Sequence, residues 1–171
     1  GHIGVFRALA EAAELSEKQS TALVSLRQDK DAEAVHALVS NWQLEEMWIT
    51  AFSLLPTLYG GVAVLQEARL KLPDLSAINH ALDELEIVCR AFPSQTVHVD
   101  LSELRVDNYH TGLLYAAYGM DAHDAVARRG RYDGLGAYFG RARPATGFSF
   151  DLRIFLGRLP ENNRAAPVSL W

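Results

Sequence analysis

The apolar residues of this chain change period once, near Pro93, and that change restricts it to folds that join a helical block to an antiparallel sheet. Before Pro93 the segments ALAEAAEL, TALVSLRQ, DAEAVHALVS, WQLEEMWITAFSLLPTLYG, GVAVLQEARLKL and DLSAINHALDELEIVCRAF repeat apolar residues three and four apart. Leu75, Ile78, Leu82, Leu85 and Cys89 fall on one helix face in this way. Pro56, Gly60–Gly61 and Pro73 supply stops, and Asp74 and Ser76 are candidate caps for the last long helix. Beyond Pro93, TVHVDLSEL and AVARRGRY alternate, with the aromatic stretch YHTGLLYAAYG between them and the turn signal Asp133–Gly134 after them. The expected class is therefore α+β. Ile3 and Val5 alternate at the start, which predicts a strand over residues 1–7, followed by helices over 8–93. Three antiparallel strands, a glycine-rich loop and a helix near Ser149–Gly157 are expected over 94–158, with a tail over 159–171. A strand at the first residue needs a neighbour, so the chain is expected to be a piece of something longer.

With 171 residues, 49% apolar and 22% charged, the chain has the composition of an ordinary globular protein of one or two domains. It contains no apolar run near the ~18–20 residues that cross a bilayer and no basic leader, so no membrane contact and a cytoplasmic location are expected. The single cysteine, Cys89, excludes an internal disulfide and a cysteine metal cage, and reads as a small buried hydrophobe. Six histidines are scattered without an i, i+4 pair, so no metal is expected. Neither a nucleophile elbow nor a P-loop is present, and no cofactor is expected.

A net charge of −5 gives no general attraction to nucleic acid, and nucleic-acid binding is not expected. Positive charge is nevertheless concentrated in residues 128–158, which hold seven arginines against Asp133 and Asp151 and no lysine. Guanidinium forks favour fixed contacts with anions or a partner surface. Ion pairing with the acidic remainder of the chain is the equal alternative, and Arg141 and Arg143 fit either a loop-fixing or an interface role. Gly130, Gly134, Gly136 and Gly140 read individually as turn formers.

The order YHTGLLYAAY, ARRGRYDGL and GRARPATGFSFDL resembles the end of the catalytic domain in the class II synthetase-like family of histidyl-tRNA synthetases and their paralogue, the regulatory subunit of ATP phosphoribosyltransferase. The resemblance is strong over residues 101–156, and the start GHIGVFRAL is similar to the strand after the family's second class motif. It implies part of a class II antiparallel sheet with flanking helices, in which the helices over 8–93 are an insertion or connection. Tyr109 and His110 stand where the family has paired tyrosines, and Arg129 to Leu135 stand on GGRYDGL with Arg129 replacing the first glycine. The implied histidine pocket has Arg105, Tyr109, His110 and Tyr132 as its walls, with Thr111, Gly112 and Gly130 shaping the backbone. Phenol and imidazole groups suit an imidazole ligand, and glycines let it approach the sheet closely.

A synthetase ends this region on a glycine-led helix whose Glu-Arg arginine holds the triphosphate of ATP. Aligning Gly147–Phe148 on that motif places Asp151 at a glycine, Arg153 at the glutamate and Ile154 at the arginine, and an isoleucine cannot hold a phosphate. FGRARPATGFSFDLR is also more similar to the regulatory subunit. The resemblance therefore implies a non-catalytic subunit that joins the short-form ATP phosphoribosyltransferase catalytic subunit in a hetero-oligomer, activates it and transmits feedback inhibition by histidine. The alternative is a histidyl-tRNA synthetase catalytic-core fragment that activates histidine. A third class, an RNA-binding module using the arginine-rich stretch, predicts strongly salt-dependent binding.

Overall fold

In the computed structural model the described residues are 1–27, 30–93, 96–102, 110–119, 125–141, 143–150 and 152–153. Six helices carry the first half: α1 (Ile3–Ala12), α2 (Glu17–Arg27), α3 (Ala32–Ser40), α4 (Glu46–Leu54), α5 (Val64–Lys71) and α6 (Ser76–Ala91). The start is thus helical and not the strand expected over 1–7. Ile3 and Val5 do alternate, but each is also the first member of a helical pair, Ile3 with Phe6 and Val5 with Leu9, and all four are buried. Only His2 is extended, forming one antiparallel bridge with Leu113. Its Nδ1 accepts the Gly4 N–H at 3.0 Å and so caps α1.

The other helices begin where the sequence offers oxygen to their free N–H groups. Ser16 and Gln19 cap α2 reciprocally: Gln19 N donates to Ser16 Oγ and Ser16 N to Gln19 Oε1. Asp31 Oδ1 accepts from Ala34 N at 2.9 Å to cap α3. On α6, by contrast, the N-cap position is Leu75 without a side-chain bond, and Asp74 accepts from the Asn79 side chain instead. The expected face of α6 is buried, with Ile78, Ala81, Leu82, Leu85 and Cys89 directed into one core with Val5, Leu9, Leu23, Phe52 and Leu65. Phe6 and Phe52 meet edge-on at 6.2 Å between α1 and α4. Trp42 and Trp48 pack against this core half-buried.

Among the described residues the strands form two antiparallel sheets. The first pairs β1 (Tyr59–Gly60) with β2 (Val99–Asp100). The second has the order β3 (Leu114–Tyr118), β4 (Ala125–Gly130), β5 (Ser149–Phe150). The sheet therefore differs from the expected one in two places. Val99–Asp100 pairs with the turn after α4 and not with β3, because Leu58 and Leu101 are both buried and Leu101 N donates to Leu58 O. Ser149–Phe150 extends β4 as a strand where a helix was expected, while Leu152 and Arg153, in the same segment, are helical; residues 151 and 154–157 lie outside the described residues. The chain start lies on the other edge of β3, where Gly1 and Leu114 exchange both backbone bonds and Ile3 N donates to Gly112 O.

Candidate functional site

The site lies where β4 ends, facing the segment that leads into β3. Thr111 N donates to Arg131 O at 2.8 Å and Arg131 N to Leu113 O at 2.9 Å, so the ladder runs past Gly130 into the Arg131–Tyr132–Asp133 turn. Tyr132 N donates to Ala145 O at 2.8 Å, and an Arg131–Thr146 bridge brings the approach to β5 alongside. Alternation along this extended stretch sends Arg131 and Asp133 to one side and Tyr132 to the other.

On the Tyr132 side, the His110 and Tyr132 rings meet edge-on at 6.4 Å. His110 is almost wholly buried. Gly130 is required there: a Cβ would stand 2.5 Å from Leu113 O and 2.9 Å from the His110 ring. Gly147 closes the same wall, since a Cβ on it would collide with the Tyr132 hydroxyl. The Tyr115 hydroxyl donates to Gly147 O at 2.5 Å, which holds that segment against the sheet. Gly130, which read as a turn former, thus serves close approach, as does Gly147, whereas Gly140, at φ +94°, does end a 3-10 turn over Leu135–Phe139.

On the opposite side, Arg131 Nε donates to both oxygens of Asp133 at 3.0 and 2.9 Å, and Arg131 Nη1 donates to Glu84 Oε1 at 3.2 Å. The second Glu84 oxygen lies 2.8 Å from His2 Nε2. Because His2 Nδ1 accepts from Gly4 N, the proton of the neutral ring sits on Nε2 and is donated to the carboxylate. Burial pushes the His2 pKa below its ordinary value, outweighing the upward pull of Glu84. Asp133 is held low chiefly by its bond from Arg131, and the same bond raises the guanidinium. Ala145 N donates to Asp133 Oδ1 and Asp133 N to Thr111 Oγ1, so the turn is tied at both ends.

Of the residues expected to line a histidine pocket, His110 and Tyr132 are brought together, and Gly130 lies between their strands. Thr111 ties the turn, while Gly112 sits over Arg131, whose Cδ would be 3.3 Å from a Cβ there. Arg105 and Tyr109 lie outside the described residues. Sequence reasoning missed Glu84, His2, Tyr115 and Gly147. The i, i+2 spacing of Arg131 and Asp133 could have flagged their pairing, but nothing local to α6 marks Glu84 as their partner. The exposed arginines Arg141 and Arg143 are not part of this network. Among the described residues no group of histidine, cysteine and acidic side chains is placed to hold a metal, and no helix is long and apolar enough to cross a membrane.

The family model described as Histidyl-tRNA synthetase matches residues 1–154. An ATP phosphoribosyltransferase regulatory subunit from Neisseria gonorrhoeae is 68% identical over 98% of this chain and 44% of its own length. A protein of the same name from Neisseria meningitidis is 67% identical over the same shares. The chain thus spans less than half the length of these curated relatives. A crystal structure described as an ATP phosphoribosyltransferase regulatory subunit/histidyl-tRNA synthetase from Bacillus halodurans is 26% identical, with a TM-score of 0.78 over 90% of this chain and 41% of that one. A match that runs through the helical block, the sheet and the Tyr132 turn alike shows that the chain belongs to the histidyl-tRNA synthetase family.

Proposed function

We propose that the full-length protein is a non-catalytic regulatory subunit that activates short-form ATP phosphoribosyltransferase and carries histidine feedback at the first step of histidine biosynthesis, in the cytoplasm. The observation that carries this reading is the 68% identity, over nearly the whole chain, to a protein named ATP phosphoribosyltransferase regulatory subunit. Two features support it. Ile154 stands at the position where a synthetase needs its triphosphate arginine, which removes the charge that adenylation requires. The Tyr132, His110, Gly130 and Gly147 grouping offers a phenol and an imidazole beside a backbone stripped of side chains, a setting suited to an imidazole ligand.

In this reading Tyr109 and Arg105 complete the pocket, the latter facing the ligand's carboxylate, while Thr111 and Gly112 shape its backbone. Histidine held there would favour one arrangement of the hetero-oligomer over another, which is a coupling free energy between two sites. The test is reconstitution of the full-length protein with a short-form catalytic subunit, ATP and phosphoribosyl pyrophosphate, with product followed as histidine is added. Product formation that requires this protein and falls with histidine is the expected result. No effect on that enzyme, together with histidine-dependent pyrophosphate exchange, would replace the reading with that of a synthetase.

A further inference from the structure

Helix α6 belongs to the helical block, yet its Glu84 reaches the strand end that carries Tyr132. The carboxylate is shared, one oxygen facing His2 Nε2 at 2.8 Å and the other receiving Arg131 Nη1 at 3.2 Å. Arg131 in turn holds both oxygens of Asp133, and Asp133 is bonded to Ala145 N. Tyr132 is the residue between these two, on the opposite side of the same extended backbone. A rotation of that backbone that moved the Tyr132 phenol relative to Gly147 would also move Arg131, which is bonded to both Glu84 and Asp133. His2 adds a second constraint, because the residue whose ring meets Glu84 also caps α1 and bridges to Leu113. Glu84 is about a quarter exposed and the His2 ring is buried, so the His2–Glu84 contact is partly shielded from solvent and salt, while Arg131 is more open.

We infer that Glu84 is a positioning residue through which α6 sets the Tyr132 wall of the ligand pocket, so that ligand occupancy and the placement of the helical block are coupled. The inference rests on the reading of that pocket as the histidine site. It follows from the contacts and not from any direct reach of Glu84 to the ligand: the carboxylate lies on the far side of the strand. Its loss should change how strongly histidine acts while leaving the catalytic subunit's activation in place.

The test uses the full-length protein reconstituted with its catalytic subunit and three variants. Glu84→Gln keeps the shape of the side chain but removes its charge, Arg131→Lys keeps charge but removes the fork, and Tyr132→Phe removes the phenol hydroxyl. For Glu84→Gln the histidine concentration giving half inhibition is expected to rise about 2- to 30-fold, the range typical of broken coupling contacts, with maximal activation unchanged. Arg131→Lys should do the same, and the double variant should be no worse than the more affected single variant, because both act through one contact. If Tyr132→Phe weakens the histidine response while Glu84→Gln and Arg131→Lys leave it untouched, the inference is overturned and the pocket reading stands. If none of the three changes the response, the pocket reading falls and takes the inference with it. Should Glu84→Gln fail to fold, a folded Arg131→Lys with a normal histidine response overturns the inference equally.

Discussion

Gly130 and Gly147 stand against the same wall, but what each faces differs in kind, and that difference separates their expected effects. A methyl at Gly130 meets a backbone carbonyl at 2.5 Å and the buried His110 ring at 2.9 Å, so strands must move apart. Gly130→Ala is expected to destabilise the protein by about 1–3 kcal/mol, the usual cost of overpacking, seen as a lowered urea midpoint. A methyl at Gly147 meets only the Tyr132 phenol, a side chain that can rotate away. Gly147→Ala should therefore keep most of the stability while displacing Tyr132, and histidine titration by calorimetry should show binding weakened about tenfold or more, near the cost of one hydrogen bond to a charged or imidazole group. Equal loss of stability in both variants would contradict this assignment. Of this site, the sequence disclosed His110, Tyr132 and Gly130 through their resemblance to a motif, whereas Gly147 was legible only as the leading glycine of the aligned helix motif and not as a neighbour of Tyr132. A glycine's reason for being small lies in what it faces, and a sequence does not record that.

The helices differ in how they are begun and in what they bury. Asp31 caps α3 with a direct bond to Ala34 N, and Asp31→Ala should cost about 1 kcal/mol. On α6, Leu82 is fully buried and Ile87 is exposed. Leu82→Ala is expected to cost about 2–5 kcal/mol, and Ile87→Ala to fall within about 0.5 kcal/mol of wild type, both read from chemical denaturation. A large loss at Ile87 would mean that this face of α6 is covered. The 3.6-residue period made the buried face of α6 readable without a structure, because Ile78, Leu82, Leu85 and Cys89 admit no strand assignment. At Ile3–Val5 the pattern was too short to choose, and helix capping by His2 decided it. Strand partners were the least legible feature. Residues 99–100 and 149–150 each pair with a segment chosen by tertiary contact, at a distance in sequence that alternation cannot encode.

Across the whole molecule, the contacts between the helical block and the large sheet include three backbone hydrogen bonds at Gly1 and Ile3 and the His2–Glu84–Arg131 chain of side chains, and this makes their union sensitive to acid. His2 is neutral in the folded protein, its Nδ1 already occupied by the Gly4 N–H, with Glu84 and His80 as its charged or titratable neighbours on α6. Its folded pKa lies below the ordinary 6.5, so as pH falls the unfolded chain takes up the proton first. Stability that is present above about pH 6.5 is therefore lost as pH falls through the folded pKa of His2. The carboxylates act lower. Asp133 is depressed by Arg131; burial alone would raise Asp100, but bonds from Lys30 and Ser102 outweigh it, so both lose their contribution below the ordinary carboxylate value of 3.8. The urea midpoint of the full-length protein should thus fall in two stages on acidification, one beginning near pH 6.5 and one in the carboxylate range. His2→Asn supplies a cap oxygen for α1 that cannot take up a proton, and it should flatten the first stage while leaving the second. A wild-type midpoint that stays level from pH 7 to pH 5 would show that the neutral His2 cap does not govern how the two parts hold together.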